Sequence, residues 1–348
     1  MNIISLTGKS LCELEEILSP LEQLRIKQIY KWLTRGVSDF SQMTDIPACI
    51  RGDLKTRFKT FSGKAVSCHD DRYAKKIIVA LNDGEKTECV LLNDGKNRLT
   101  SCLSVQAGCP IGCVFCKTGS LGFKRNLDAH EIAEQFFFLQ NSLPGKAEKK
   151  DEKLIDNIVI MGMGEPLLNL EQLRKTISFF MDTRGMNYSR RRITASTCGI
   201  CGGLFDLANN GPYIKLAFSL VTADEKLRRD LIPAAKSNPL KKIKEALVLF
   251  QDKGGGRITL EIPLLGGVNT RDKDTQLLAQ FAAGLDNVIN VIPWNPVQGF
   301  MFEGKPLNEP EKKETFNFIN KLENKGLKVT MRLRKGRSVM GACGQLGE

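Results

Sequence analysis

Two hydrophobic periods divide the chain. Up to about residue 61, apolar positions recur at helical spacing. Ser10 and Glu13 stand three apart ahead of an apolar run, a capping-box pattern that starts a helix reaching about Leu18, and Pro20 closes it. Leu21–Arg35 mixes Leu24, Tyr30, Trp32 and Leu33 with Arg25, Lys27, Lys31 and Arg35, and a second mixed helix, Ile50–Phe61, carries Arg51, Lys55, Arg57 and Lys59. Together these predict a small helical module with a basic face, either solvated or set against a polyanion. Lys76–Leu81 and Glu88–Leu92 are short β-rich runs joined through Asn82, Asp83 and Gly84, which predicts a hairpin. Strand-like and helix-length segments then alternate. The strands are Leu99–Val105, Asn157–Met161, Arg192–Ser196, Lys215–Ser219, Arg257–Leu264, Asn287–Pro293 and Lys328–Leu333. Repeated βα units predict an α/β fold with a parallel barrel or part of one. The first barrel helix starts at Asp128, with Glu131 three residues later, and polar Asn141–Lys153 reads as a surface insertion. The expected division is a helical module over 1–62, a hairpin extension over 63–98 and a partial barrel over 99–348.

Composition narrows the class. At 348 residues with 42% apolar and 26% charged, the chain is an ordinary globular protein and not a disordered, collagen-like or coiled-coil one. A net charge of +12 favours polyanionic partners such as nucleic acid, a merely soluble basic surface being the plain alternative. No apolar run approaches the roughly 18 residues a spanning helix needs, and Met1–Leu21 alternates apolar with acidic residues, so no membrane segment and a cytoplasmic location are expected. Eleven cysteines in such a chain point to metal or redox chemistry rather than a disulfide framework.

Their spacing carries the chemistry. Cys109-Pro-Ile-Gly-Cys113-Val-Phe-Cys116 follows the first barrel strand, where barrel functional groups lie. Structural zinc wants four protein ligands, whereas a [4Fe–4S] cluster held by three thiolates keeps one iron open to an outside ligand. A zinc site completed by His130 or a remote Cys, or three incidental buried thiols, are the alternatives. This loop, with an aromatic before its last Cys, resembles that of the radical-SAM superfamily, whose open iron chelates S-adenosylmethionine. Gly162-Met-Gly164-Glu165-Pro166 after the second strand resembles the superfamily's Gly-Glu motif.

Cys102, seven residues before the cluster loop, and Cys343, in Gly341-Ala-Cys343-Gly-Gln-Leu346, make the chain similar to the RlmN/Cfr family of radical-SAM adenine methyltransferases acting on ribosomal RNA. The likeness extends over nearly the whole chain. It implies a partial radical-SAM barrel, one [4Fe–4S] cluster and two S-adenosylmethionine molecules per turnover. A ring carbon such as C2 of adenine is not nucleophilic, so the resemblance implies that Cys343 is methylated first. A radical raised on that methyl then adds to the ring carbon. Cys102 is the implied resolving thiol, leaving a transient Cys102–Cys343 disulfide for cellular reductants to reopen. Glu88 matches the family's proton acceptor, with a spacer to Cys102 one residue longer, and a water-facing edge carboxylate is its plain alternative. Gly164, Glu165, Ser196, Ser219, Leu220 and Asn295 are the implied S-adenosylmethionine contacts, while Phe115 either stacks on its adenine or packs in the core. The implied partners are large-subunit ribosomal RNA, transfer RNA as well in some relatives, and a small electron donor such as flavodoxin or ferredoxin, with the enzyme a monomer. Relatives usually read Ser-Leu-His-Ala where this chain has Ser219-Leu-Val221-Thr, and an Asp-rich stretch where it has Lys335–Gly341. The proline of GMGEP favours the C2 branch over the C8, antibiotic-resistance branch. An RNA-binding protein with a structural metal is the reading outside enzymes. Cys198 and Cys201 form a CxxC that the family does not require.

Overall fold

The computed structural model describes residues 4–96, 98–144, 153–331 and 336–347. The local signals form as their chemistry dictates. Ser10 caps α1 (Leu11–Ile17), its hydroxyl accepting the Glu13 N–H at 3.2 Å while the Glu13 carboxylate takes the Ser10 N–H at 2.7 Å. The helix α2 (Gln23–Thr34) turns Ile26, Ile29, Tyr30 and Leu33 inward and leaves Leu24 exposed. The helix α3 (Ala48–Arg57) stops short of the expected Phe61. Phe58 and Lys59 instead pair in parallel with Ile4 and Ser5, which buries Phe58.

Among the described residues one sheet of ten strands follows chain order from edge to edge. It comprises β1 (Lys64–Asp70), β2 (Ala74–Ala80), β3 (Lys86–Asn93), β4 (Leu99–Leu103), β5 (Asn157–Ile160), β6 (Ile193–Thr197), β7 (Lys215–Ser219), β8 (Ile258–Leu264), β9 (Asn287–Pro293) and β10 (Val329–Met331). Strands β4 to β10 run parallel, whereas β1 to β4 pair antiparallel, so the expected hairpin continues the barrel sheet. The crossovers carry α4 (Ala129–Asn141), α5 (Leu170–Met181), α6 (Cys201–Asn210), α7 (Glu225–Leu231), α8 (Leu240–Phe250), α9 (Asp272–Ala282) and α10 (Lys312–Glu323). Asp128 and Glu131 cap α4 as their spacing predicts. β1 has no counterpart in the sequence reading. Most of its residues are exposed, so backbone pairing with β2 holds it in place and no apolar alternation marks it. The middle of the expected insertion, 145–152, and the end of the last expected strand, 332–333, lie outside the described residues.

The helical module is tied to the barrel through α4. Glu134 accepts the Ser62 and Gly63 N–H groups at 2.8 Å each and the Ser5 hydroxyl at 2.7 Å. Gln140 and Asn141 donate to the carbonyls of Arg35 and Gly36, and one cluster of buried apolar residues runs from Leu6 into the barrel. No helix among the described residues is long and apolar enough to cross a membrane.

Candidate active site

The C-terminal ends of the parallel strands open into a cleft of about 1030 Å³, part of it solvent. Cys109, Cys113 and Cys116 line one wall, held by a loop that begins where Cys109 donates its N–H to the Gly122 carbonyl. The loop closes with a turn from Cys116 N–H to Cys113 O, and Val114 N–H bonds Leu231 O at the end of α7. Burial raises all three thiols above their ordinary range, Cys109 to about 12, so a metal centre must displace their protons to bind.

The glycine motif forms the floor. A side chain at Gly162 would stand 2.5 Å from Ser104 Oγ, and one at Gly164, whose φ is +100°, would stand 2.6 Å from Gln106 Cβ. Only glycine permits that approach. Gln106 Oε1 in turn accepts the Glu165 N–H at 2.8 Å. The Glu165 carboxylate is raised by burial, a shift opposed by the Cys198 and Leu167 N–H groups, at 2.8 and 3.0 Å.

Polar groups from three adjacent strands meet on the far wall. Ser196 Oγ lies 3.1 Å from Ser219 Oγ and 3.2 Å from Glu261 Oε2, because Ser219 and Glu261 are register partners of β7 and β8. Glu261 escaped the sequence reading. Its signal was a lone carboxylate in the mostly apolar strand Ile258–Leu264. Val221, in place of the family's His, sits at φ +64° with its side chain buried in the cleft wall. Leu220 belongs to the core behind that wall and offers only backbone, its carbonyl accepting from Arg228. Trp294 donates to the Phe115 carbonyl at 2.9 Å, and Phe115 both lines the cleft and packs on the apolar cluster beside it.

The C-terminal segment crosses the cleft mouth. Lys117 N–H holds the Gly344 carbonyl at 2.8 Å, Thr118 Oγ1 that of Leu346 at 2.7 Å, and Asn295 Nδ2 that of Cys343 at 3.1 Å. These bonds place exposed Cys343 in a second, adjoining cavity of about 690 Å³ that also contains buried Cys102 and the outer side of Cys116. Glu88 lies behind this cavity. It is 1% exposed, 3.6 Å from the fully buried Lys76 ammonium, and its Oε1 accepts the Gly347 N–H at 3.1 Å. The basic loop before Cys343 is anchored by Arg337 to Glu309 at 3.0 Å and by Ser338 to Asp71; Lys335 lies outside the described residues. His130 sits on α4 against Gly8 and does not line the cleft, whereas Cys198 does. All eleven cysteines are free.

Cys109, Cys113 and Cys116 offer three thiolates from one loop, a set that suits a [4Fe–4S] cluster with one iron left open. Asn295 Oδ1, buried at the junction of the two cavities, makes no hydrogen bond among the described residues, which leaves an acceptor for a ligand N–H.

A three-thiol loop on a parallel half-barrel defines a radical-SAM enzyme, and the model of the Radical SAM superfamily matches residues 103–279. A probable dual-specificity RNA methyltransferase RlmN of Treponema denticola is 43% identical over 99% of this chain and 95% of its own length. Its namesake in Dictyoglomus turgidum is 38% identical over 92% of this chain and 90% of its own. A crystal structure of a radical SAM methyltransferase from Sphaerobacter thermophilus superposes with a TM-score of 0.91 at 32% identity, covering 98% of both chains. The chain belongs to the RlmN family of radical-SAM RNA methyltransferases.

Proposed function

We propose that this enzyme methylates C2 of an adenosine in large-subunit ribosomal RNA, with transfer RNA a second substrate, by way of a methylated Cys343. The observation that carries the reading is the shared cavity: Cys102 and Cys343 open into one space that adjoins the three-cysteine wall at Cys116. Cys109, Cys113 and Cys116 would hold a [4Fe–4S] cluster, and Gly164, Glu165, Ser196, Ser219, Glu261 and Asn295 would receive S-adenosylmethionine. When bound, the pair supplies both the methyl group and a one-electron route to a radical.

The protein's own groups account for the remainder. The Cys343 thiol accepts the methyl and presents it to the base, which must leave its stack to reach the cavity. Cys102, buried beside it, then attacks as a thiolate the sulfur that carries the RNA, forming the S–S bond as the C–S bond breaks, and the methylene carbon keeps the electron pair and takes a proton to become the methyl group of the departing product. Glu88 takes the proton from the ring carbon in this reading, and for that the Gly347 contact it now makes must open. The module over 1–62 contributes basic side chains to the RNA backbone, and a flavodoxin- or ferredoxin-type donor supplies electrons.

Anaerobically reconstituted enzyme should hold about four irons per chain. It should release 2-methyladenosine from ribosomal RNA, with Cys343→Ala yielding none and Cys102→Ala accumulating RNA crosslinked through Cys343. One zinc and no S-adenosylmethionine cleavage, 8-methyladenosine as product, or only free RNA with Cys102→Ala would each overturn the corresponding part.

A further inference from the structure

Arg228, on α7, is fully buried although it carries a charge that normally stays in water. Its Nη2 donates to the Cys198 carbonyl at 2.6 Å, its Nε to the Leu220 carbonyl at 3.2 Å, and the guanidinium lies over the Phe218 ring at 5.4 Å. Among the described residues Nη1 has no hydrogen-bond partner, and no carboxylate lies within ion-pair distance of the group. Two carbonyls and a ring face do not neutralise a buried cation, and Glu225, three residues earlier on α7, acts on it through its field without an ion-pair contact.

Further negative charge would come from the cysteine loop. One end of α7 supports the cysteine loop through the Val114–Leu231 bond, directly after Cys113. The Cys198 carbonyl held by Arg228 belongs to a residue that lines the cleft with Cys113, and the guanidinium's field reaches Cys113 and Cys198. Three thiolates around an iron–sulfur core carry net negative charge, and one-electron reduction adds another. We propose that Arg228 is a positioning residue for the cluster, its fixed charge offsetting the thiolates and making the cluster easier to reduce. The step is electron transfer alone: the donor loses one electron, the cluster gains it, and no bond or proton moves. Through its two carbonyl bonds the same side chain fixes the backbone after β6 and β7, so Ser196 and Ser219 keep their register beside the cleft.

This inference rests on reading the cysteine loop as a cluster site, and the two can fail separately. Anaerobically reconstituted wild-type enzyme, Arg228→Lys and Arg228→Gln are titrated with dithionite at controlled potential, reading the reduced cluster by electron paramagnetic resonance. Arg228→Gln keeps hydrogen-bond donors without the charge, and its midpoint should move to more negative potential, with a smaller reduced fraction at fixed poise. Arg228→Lys keeps the charge and should stay near wild type. Arg228→Met, which has no charge to bury, takes the place of Arg228→Gln if the latter does not fold, with the same shift expected. Equal midpoints in all variants, or equal shifts in Arg228→Lys and the neutral variants, would show a role of shape alone and overturn the proposal. Failure of the wild type to assemble a cluster would overturn the site reading instead.

Discussion

At the scale of single residues, the site depends on positions where backbone comes closer than a side chain allows. Gly164 combines a left-handed φ with contact to Gln106, the residue that orients Glu165 through its N–H. Gly164→Ala should therefore cost about 1–3 kcal/mol in thermal or denaturant unfolding and weaken S-adenosylmethionine binding in equilibrium dialysis. Unchanged binding would mean that Glu165 is not placed through Gln106. Val221 shows the opposite choice. A β-branched residue keeps a left-handed φ because its N–H bonds the Glu261 carbonyl and its own carbonyl receives Asn269 Nδ2, fixing an apolar wall where relatives usually carry His. Glu88 is likewise decided by position: the water-facing alternative falls because β3 is an inner strand and the carboxylate is enclosed with Lys76.

Among the elements, α4 joins the helical module to the barrel, and Glu134 is the group on which that joint turns. Burial raises its carboxyl from 4.5 to about 7, against the pull of the Gly63 and Ser62 N–H groups. The folded state thus favours the protonated form. This contribution to stability is complete below about pH 4.5 and is lost as the pH rises through about 7, a swing on the order of 3 kcal/mol. Glu134→Gln should be less stable than wild type at acid pH, since its amide NH₂ must face a backbone N–H, but it lacks this titration. The stability gap between wild type and variant should shrink from pH 5 to pH 8 in denaturant unfolding. A gap independent of pH would remove Glu134 from the account.

For the whole molecule, the parallel strands point their C-terminal ends at a cleft that the chain's own end partly covers. Hydrogen bonds from Lys117, Thr118 and Asn295 hold that end in place. The excess of 51 Lys plus Arg over 39 Asp plus Glu is spread over the chain, so RNA affinity should rest largely on phosphate contacts. Raising salt from about 50 to 200 mM should weaken binding of a ribosomal RNA fragment about tenfold or more, read by fluorescence anisotropy. Salt-independent affinity would assign recognition to groups other than the basic ones.

What the sequence determined by itself was whatever short-range spacing encodes. CxxxCxxC bends three thiols onto one wall, GMGEP needs its glycines for close approach, the capping pairs Ser10/Glu13 and Asp128/Glu131 start their helices, and apolar periodicity marks β4 to β9. The cysteine-rich motifs added the family, and the structure opens Cys102 and Cys343 into one cavity. Tertiary structure alone decided what depends on register and burial. Ser196, Ser219 and Glu261 become neighbours because β6, β7 and β8 align in parallel. Glu88 meets Gly347 across 259 residues, and Arg228 becomes a buried cation behind the cysteine loop. Those contacts join segments far apart in the chain, and no local pattern of residues can specify a neighbour that only the packed sheet supplies.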